Sequence, residues 1–125
     1  MTDEIRLVLP AEEDFHPIAH LVLGGLGARH SLTFDQLEDL QVALDALLDR
    51  RDDENEIVVS IRVEKETVRA EVGPYPAGAL AELEGESEAL GLRRVLETVC
   101  DAFEVEERDA GSWVQLQKRT APAAA

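Results

Sequence analysis

The sequence predicts an α+β fold: a two-layer α/β sandwich with a mixed, mostly antiparallel sheet covered on one face by helices. Two observations carry this prediction. Short segments in which apolar and polar residues alternate come in closely spaced pairs, which is typical of hairpins. Between them lie longer segments whose apolar residues recur with the period of a helix. The predicted order of elements is β-α-α-β-β-α-β-β.

The first strand is predicted at residues 5–9, where Ile5, Leu7 and Leu9 point to one side. Pro10 ends it. A helix is predicted over residues 12–29, and its regular part is expected to begin near Pro17. Its predicted apolar face consists of Phe15, Ile18, Ala19, Val22, Leu23 and Leu26.

The second helix has the clearest start signal in the chain. Thr33 with Gln36 three residues later matches a capping box. The residues that follow form one apolar stripe: Leu37, Leu40, Leu44, Leu47 and Leu48.

Two hairpins are predicted, from strands 57–63 and 67–72 and from strands 103–107 and 113–117. Glycines and prolines in 73–78 are expected to break regular structure, with Tyr75 either an exposed anchor or a cover for the core edge. The last helix is predicted over 90–100 with Ser87 as its N-cap, after a helical turn at 79–84.

Composition limits the class of protein and its partners. With 125 residues, one domain at 1–119 and a disordered tail at 120–125 are expected. The net charge of −15 disfavours nucleic acid and anionic membranes and favours a protein partner with a basic surface. One cysteine excludes an internal disulfide, and the acidic, briefly apolar N-terminus is not a secretory signal, so a cytoplasmic protein is expected. A bacterial source is expected because the composition, rich in Leu, Ala, Glu and Arg and poor in Lys, Ile and Asn, resembles that of GC-rich bacteria.

Several strings resemble the GHKL (Bergerat-fold) ATPase domain, and more closely the serine-kinase anti-sigma factors of bacteria. These strings are residues 5–10, the run 37–44 in the second helix, the Gly-Leu pair in 90–96, and residues 109–114. The resemblance covers about residues 4–119. It implies a GHKL, histidine-kinase-ATPase-like fold and a role in transcription regulation.

The same resemblance implies that the nucleotide boxes are degenerate. The positions of the expected catalytic Glu and magnesium-binding Asn hold Ala46 and Arg50. Gly73 lacks the accompanying Asp, and Gly91 lacks the glycines before it. Ser112 alone matches the last box. No cofactor is therefore expected, and ATP with magnesium belongs only to the alternative of an active kinase.

Other chemistry is weakly indicated. Asp45 and Asp49 would form a carboxylate pair in a register shifted by one residue, but solvated carboxylates are favoured. His16 and His20 have the spacing of a metal pair without a third ligand, so surface histidines are favoured. Cys100, on an apolar stripe beside Asp101, is expected to be an inert thiol whose pKa is not lowered.

The hypothesis drawn from these patterns is a regulatory protein-binding domain. As the resemblance implies, it would bind a sigma factor or an anti-sigma antagonist, through an acidic face of the second helix: Asp35, Glu38, Asp39 and Asp45. Glu38 and Asp39 are both expected on the exposed side. The alternatives are an active ATP-dependent serine/threonine protein kinase with an atypical pocket, and an unrelated α+β dimerisation module. A homodimer is compatible with the first and third hypotheses.

Overall fold

The structure is a computed structural model that describes residues 3–10, 12–30, 32–50, 55–64, 66–76, 80, 91–109 and 111–120. The described chain forms an α+β sandwich, as predicted. Its strands are β1 (Asp3–Leu9), β2 (Ile57–Glu64), β3 (Thr67–Tyr75), β4 (Ala102–Arg108) and β5 (Gly111–Arg119). Its helices are α1 (His16–Arg29), α2 (Phe34–Leu48) and α3 (Leu92–Val99), with a 3-10 turn at Glu13–Phe15.

The five strands form one sheet in the order β1-β2-β3-β5-β4. Every pairing among them is antiparallel, so this sheet is not mixed. Both predicted hairpins are present, and β1 pairs with β2 along its full length. The sheet therefore has β1 at one edge and β4 at the other.

One face of the sheet is buried under the helices. The alternating residues of β2, β3 and β5 on this face pack with residues of all three helices in one core. Its strand members include Val59, Ile61, Val72 and Val114, each at most 1% exposed. The α2 stripe was predicted correctly, since Leu40, Leu44, Leu47 and Leu48 are buried and Leu37 is half-buried against the core.

The first helix departs from its prediction. Ala19, Leu23 and Leu26 are buried, but Phe15 and Ile18 are exposed. Apolar side chains occur on every side of α1, so they do not all fit against the core. The regular helix begins beside Pro17, as expected.

The third strand corrects another prediction. Regular structure does not stop at Gly73, because β3 continues through a bulge to Tyr75, which pairs with Ser112. The Tyr75 side chain is 1% exposed and is not an exposed anchor. Tertiary contacts of this tyrosine outweigh the local signal of the glycine and prolines.

Some predictions fall outside the description. Ser87 and the turn at 79–84, apart from the buried Leu80, lie outside the described residues, as do residues 121–125. The N-cap of α3 is Gly91, in an extended conformation without a side-chain cap. Thr120 donates its backbone N–H to the Glu66 carbonyl oxygen at 2.9 Å.

Candidate functional site

The outer side of α2 begins at a well-formed N-terminus. The Thr33 hydroxyl accepts a hydrogen bond from the backbone N–H of Gln36 at 3.1 Å, and the Gln36 side chain accepts one from the Thr33 backbone at 2.9 Å. This predicted capping box satisfies two N–H groups that the helix cannot pair internally. It fixes where the first turn begins and hence which side of α2 its acidic residues occupy.

Two of the four predicted acidic residues lie open to solvent. Asp35 and Glu38 are exposed. Because they are three residues apart, they lie on the same side of α2. Among the described residues no basic side chain pairs with either carboxylate. Their charge is therefore available to a partner.

The other two carboxylates have partners within the fold. Asp39 is half-buried, and its Oδ2 lies 2.8 Å from the Nζ of Lys118 on β5. The Asp45 Oδ1 lies 2.6 Å from the Nε2 of His20 on α1. Asp39 is therefore less open to solvent than expected, because Lys118 reaches it from the sheet. These two residues connect α2 to its neighbours.

Two apolar side chains that the sequence did not single out lie on the same side of α2 as Asp35 and Glu38. Phe34, at the first turn of α2, is 77% exposed, and Val42 is 41% exposed. Both lie outside the leucine stripe. Because the stripe is the buried side of the helix, their positions in the sequence could have identified them as exposed. Exposed aromatic side chains beside charges are typical of protein-binding surfaces. We call Phe34, Asp35, Glu38 and Val42 the α2 surface.

The positions that the resemblance assigns to the nucleotide boxes lie on several different elements. Ala46 is half-buried on α2 against the core, where its methyl group offers no ligand atom. Arg50 lies just beyond the helix, and its N–H donates to the Leu47 carbonyl oxygen at 3.0 Å. Gly91 starts α3.

Gly73 faces away from the helices. A Cβ atom at this position would lie 2.6 Å from Cδ2 of Trp113, so the indole ring packs directly on the glycine. The Arg108 guanidinium lies over the same ring, 4.7 Å from its centroid. Gly73 therefore provides room for Trp113 on the open face of the sheet, opposite the layer that contains Ala46.

Tyr75 connects the end of β3 to the end of α2. Its hydroxyl donates a hydrogen bond to the Leu47 carbonyl oxygen at 2.5 Å. Ser112, paired with Tyr75 across the sheet, is buried at 8% exposure. The structure thus brings Ser112 and Tyr75 close to the end of α2 that contains Ala46. Gly73 instead faces the open side of the sheet.

The histidines and the cysteine do not form a metal site in the described part of the chain. His20 is engaged by Asp45, whereas His16 Nε2 is buried without a hydrogen-bond partner. Burial raises the pKa of the half-buried Cys100 thiol to about 11, which agrees with the prediction that this pKa is not lowered. The described helices include none long and apolar enough to cross a membrane.

Comparisons with known proteins agree with the predicted resemblance. No protein-family profile matches the chain. Serine-protein kinase RsbW of Listeria monocytogenes serotype 4a is 28% identical over 106 aligned residues, covering 66% of this chain and 68% of the relative. RsbW of Listeria innocua is 26% identical with the same coverage. RsbW of Bacillus velezensis is 35% identical over 65 residues, covering 48% of this chain and 41% of the relative. The chain is therefore similar, at low identity and over part of its length, to proteins named serine-protein kinases.

Proposed function

We propose that this protein is a cytoplasmic bacterial regulator of the anti-sigma type, a protein-binding domain over residues 1–119 that has lost ATP binding and kinase chemistry. Its similarity to proteins named RsbW supports the regulatory class. The resemblance of its sequence to serine-kinase anti-sigma factors supports a sigma factor, or a protein that antagonises an anti-sigma factor, as its partner.

The buried Tyr75 carries the proposal that nucleotide chemistry is lost. By the resemblance, the box at Gly73 would include an Asp that reads adenine, and no Asp stands there. Two residues after Gly73, Tyr75 is 1% exposed and hydrogen-bonded to Leu47 at the end of α2. Ala46 supplies no base, and Arg50 places a cation where a magnesium ligand is expected. These residues do not fit magnesium and ATP, so no cofactor is proposed.

The α2 surface is the proposed contact for a basic partner. Asp35 and Glu38 supply unpaired negative charge, and Phe34 and Val42 supply apolar area beside it. Charges around an interface mainly raise the association rate, whereas buried aromatic anchors hold the complex together. Asp39 and Asp45 contribute less to the negative potential, because Lys118 and His20 lie against their carboxylates.

An active kinase is the second candidate, favoured by the similarity to proteins named serine-protein kinases. Calorimetry with Mg-ATP separates the two candidates. We expect no binding with a Kd below about 100 μM, which corresponds to only about −5.5 kcal/mol. RsbW of Listeria monocytogenes, assayed in parallel, serves as the control. A tighter complex together with phosphate transfer to serine would replace the proposal with the kinase.

Association kinetics test the α2 surface. Sigma factors purified from the native host are titrated against the wild type and against the double variant Asp35→Lys, Glu38→Lys. The matched control is Glu12→Lys, Asp14→Lys, which makes the same charge change at exposed positions near the start of α1. We expect the α2 variant to lose about tenfold or more in association rate at low salt, and the control far less.

Salt provides the second arm of this experiment. Attraction between exposed charges is screened over about 8 Å at physiological ionic strength, so the wild-type association rate should fall steeply as salt rises. A sigma factor that binds to both double variants at the same rate, at all salt concentrations, would contradict the α2 contact.

Gel filtration coupled to light scattering tests the homodimer, for which the exposed Ile18 and Leu21 of α1 supply apolar area.

A further inference from the structure

A groove runs between α3 and the edge strand β4. The groove has a volume of about 620 Å³ and is open to solvent. Arg93 and Glu97 on α3 form one wall, Cys100 lies at the end of that helix, and Phe103 and Val105 on β4 form the other side. Both β4 side chains are half-buried and point toward the helical layer, so the groove offers apolar surface beside a strand.

The outer edge of β4 is unpaired in the described part of the chain. Strand β5 is its one neighbour there, and the sheet ends at β4. On an edge strand every second residue points its N–H and C=O away from the sheet. An exposed edge strand beside a groove with some apolar surface is the arrangement that binds extended peptides by adding a strand.

The charge around the groove favours a basic occupant. Asp101, Glu104 and Glu107 are exposed acidic residues on or beside β4. Glu104 has no ion-pair partner among the described residues, whereas Arg93 lies 3.3 Å from Glu97 and Arg108 pairs with Glu106. Oppositely charged residues directly across neighbouring strands stabilise the pairing.

We propose that this groove binds an extended, basic segment of a partner protein, which adds to the sheet as a strand next to β4. Apolar side chains at every second position of the segment pack on Phe103 and Val105. Lysine or arginine at the intervening positions faces Glu104. The inference concerns a surface separate from α2 and goes beyond the proposed function, because it specifies the form of the ligand.

Charge distinguishes this occupant from two others. Pairing β4 with β4 of a second copy would bring the glutamates of two acidic strands together, which is unfavourable. The segment 81–90 of this chain carries four glutamates and no lysine or arginine, so it has the same sign as the groove. A basic segment from another protein complements both the alternation of apolar and acidic residues along β4 and the negative charge of this strand.

The test uses a short synthetic peptide in which lysine alternates with valine. The control peptide has the same side chains, but its backbone amides that would face β4 are N-methylated. We expect the first peptide to bind and the N-methylated one to lose at least about tenfold in affinity, because it cannot donate to the β4 carbonyls. Equal binding of both peptides would overturn strand addition.

Two measurements on the protein locate the bound peptide. Hydrogen exchange of the outward-facing amides of β4 should slow about tenfold, with little change in β1 at the opposite edge. Cys100 is the one cysteine of the chain, and its alkylation rate at fixed pH should fall when the groove is filled. If the outward-facing β4 amides already exchange slowly in the free protein and peptide does not slow them further, another segment occupies this edge and the proposal is overturned.

A charge reversal tests whether the peptide binds at this groove. Glu104→Lys should weaken peptide binding about tenfold, whereas Glu12→Lys, the same charge change at an exposed position near the start of α1, should leave it nearly unchanged. Equal effects of the two substitutions would mean that the peptide senses only net charge, and would overturn the proposal. Neither result depends on ATP or on a sigma factor, so failure of the groove and failure of the proposed function remain distinguishable.

Discussion

Helices α1 and α2 cover the same face of the sheet, but different interactions hold them there. Helix α2 has a capping box and a stripe of leucines that are almost entirely buried. Helix α1 starts at Phe15 without a side-chain cap and has apolar residues all around, with Leu21 75% exposed. The position of α2 thus follows from its own residues. The orientation of α1 depends on what surrounds it, including the His20–Asp45 and His30–Asp3 contacts.

The largest expected difference between the two helices concerns leucine. Leu44→Ala removes a side chain at 1% exposure and should lower the free energy of unfolding by about 2 to 5 kcal/mol. Leu21→Ala makes the same chemical change on α1 and should alter it by less than about 0.5 kcal/mol. Urea denaturation of both variants measures the difference. Similar losses would mean that Leu21 is covered in solution, as it would be in a dimer.

The capping box gives the next effect. Thr33→Ala removes the hydroxyl that accepts from Gln36 and should cost about 1 kcal/mol of stability. Thr33→Ser keeps that acceptor and serves as the control. Thermal unfolding of the two variants and the wild type tests this expectation, and equal melting temperatures would show that the cap contributes nothing.

A glycine in α1 should produce a change in the opposite direction. Gly25 is exposed within the helix, and a Cβ there would meet no atom within 4 Å. Gly25→Ala should therefore stabilise the protein by about 0.5 to 1 kcal/mol. At Gly27 the added Cβ would lie 3.3 Å from Leu37 Cδ1, so Gly27→Ala should gain less. Chemical denaturation that ranks Gly27→Ala above Gly25→Ala would contradict this account.

The smallest expected effect is a pH dependence at the C-terminal end of α1. Asp3 on β1 accepts a hydrogen bond from His30 at 2.6 Å and lies 2.7 Å from Arg29 Nε. The hydrogen bond from His30 holds the pKa of Asp3 below its ordinary value, with a smaller contribution from Arg29. Because the folded state lowers this pKa, the stabilisation is present above the ordinary pKa and is lost as the pH falls through the folded one.

Asp3→Asn tests that dependence. The stability difference between wild type and variant should be present near neutral pH and should shrink below about pH 4. Urea midpoints measured over a series of pH values follow it. A difference that stays constant down to the acid transition would show that Asp3 acts through packing and that its charge is not involved.

The sequence by itself determined most of the architecture. Alternation placed Ile5, Leu7 and Leu9 toward the core, and both hairpins were predicted from it. Thr33 and Gln36 located the start of α2 because capping is a contact between residues close in sequence. The fold class followed from the order of these locally specified elements.

Contacts between distant residues decided the rest. Tyr75 extends β3 past Gly73 because its hydroxyl reaches Leu47, 28 residues away in sequence. Asp39 turns from a solvated carboxylate into the partner of Lys118, 79 residues away. The groove beside β4 exists only because α3 lies against the sheet edge. Local periodicity cannot encode such pairs, since it reports which side of an element is apolar and not which element it meets.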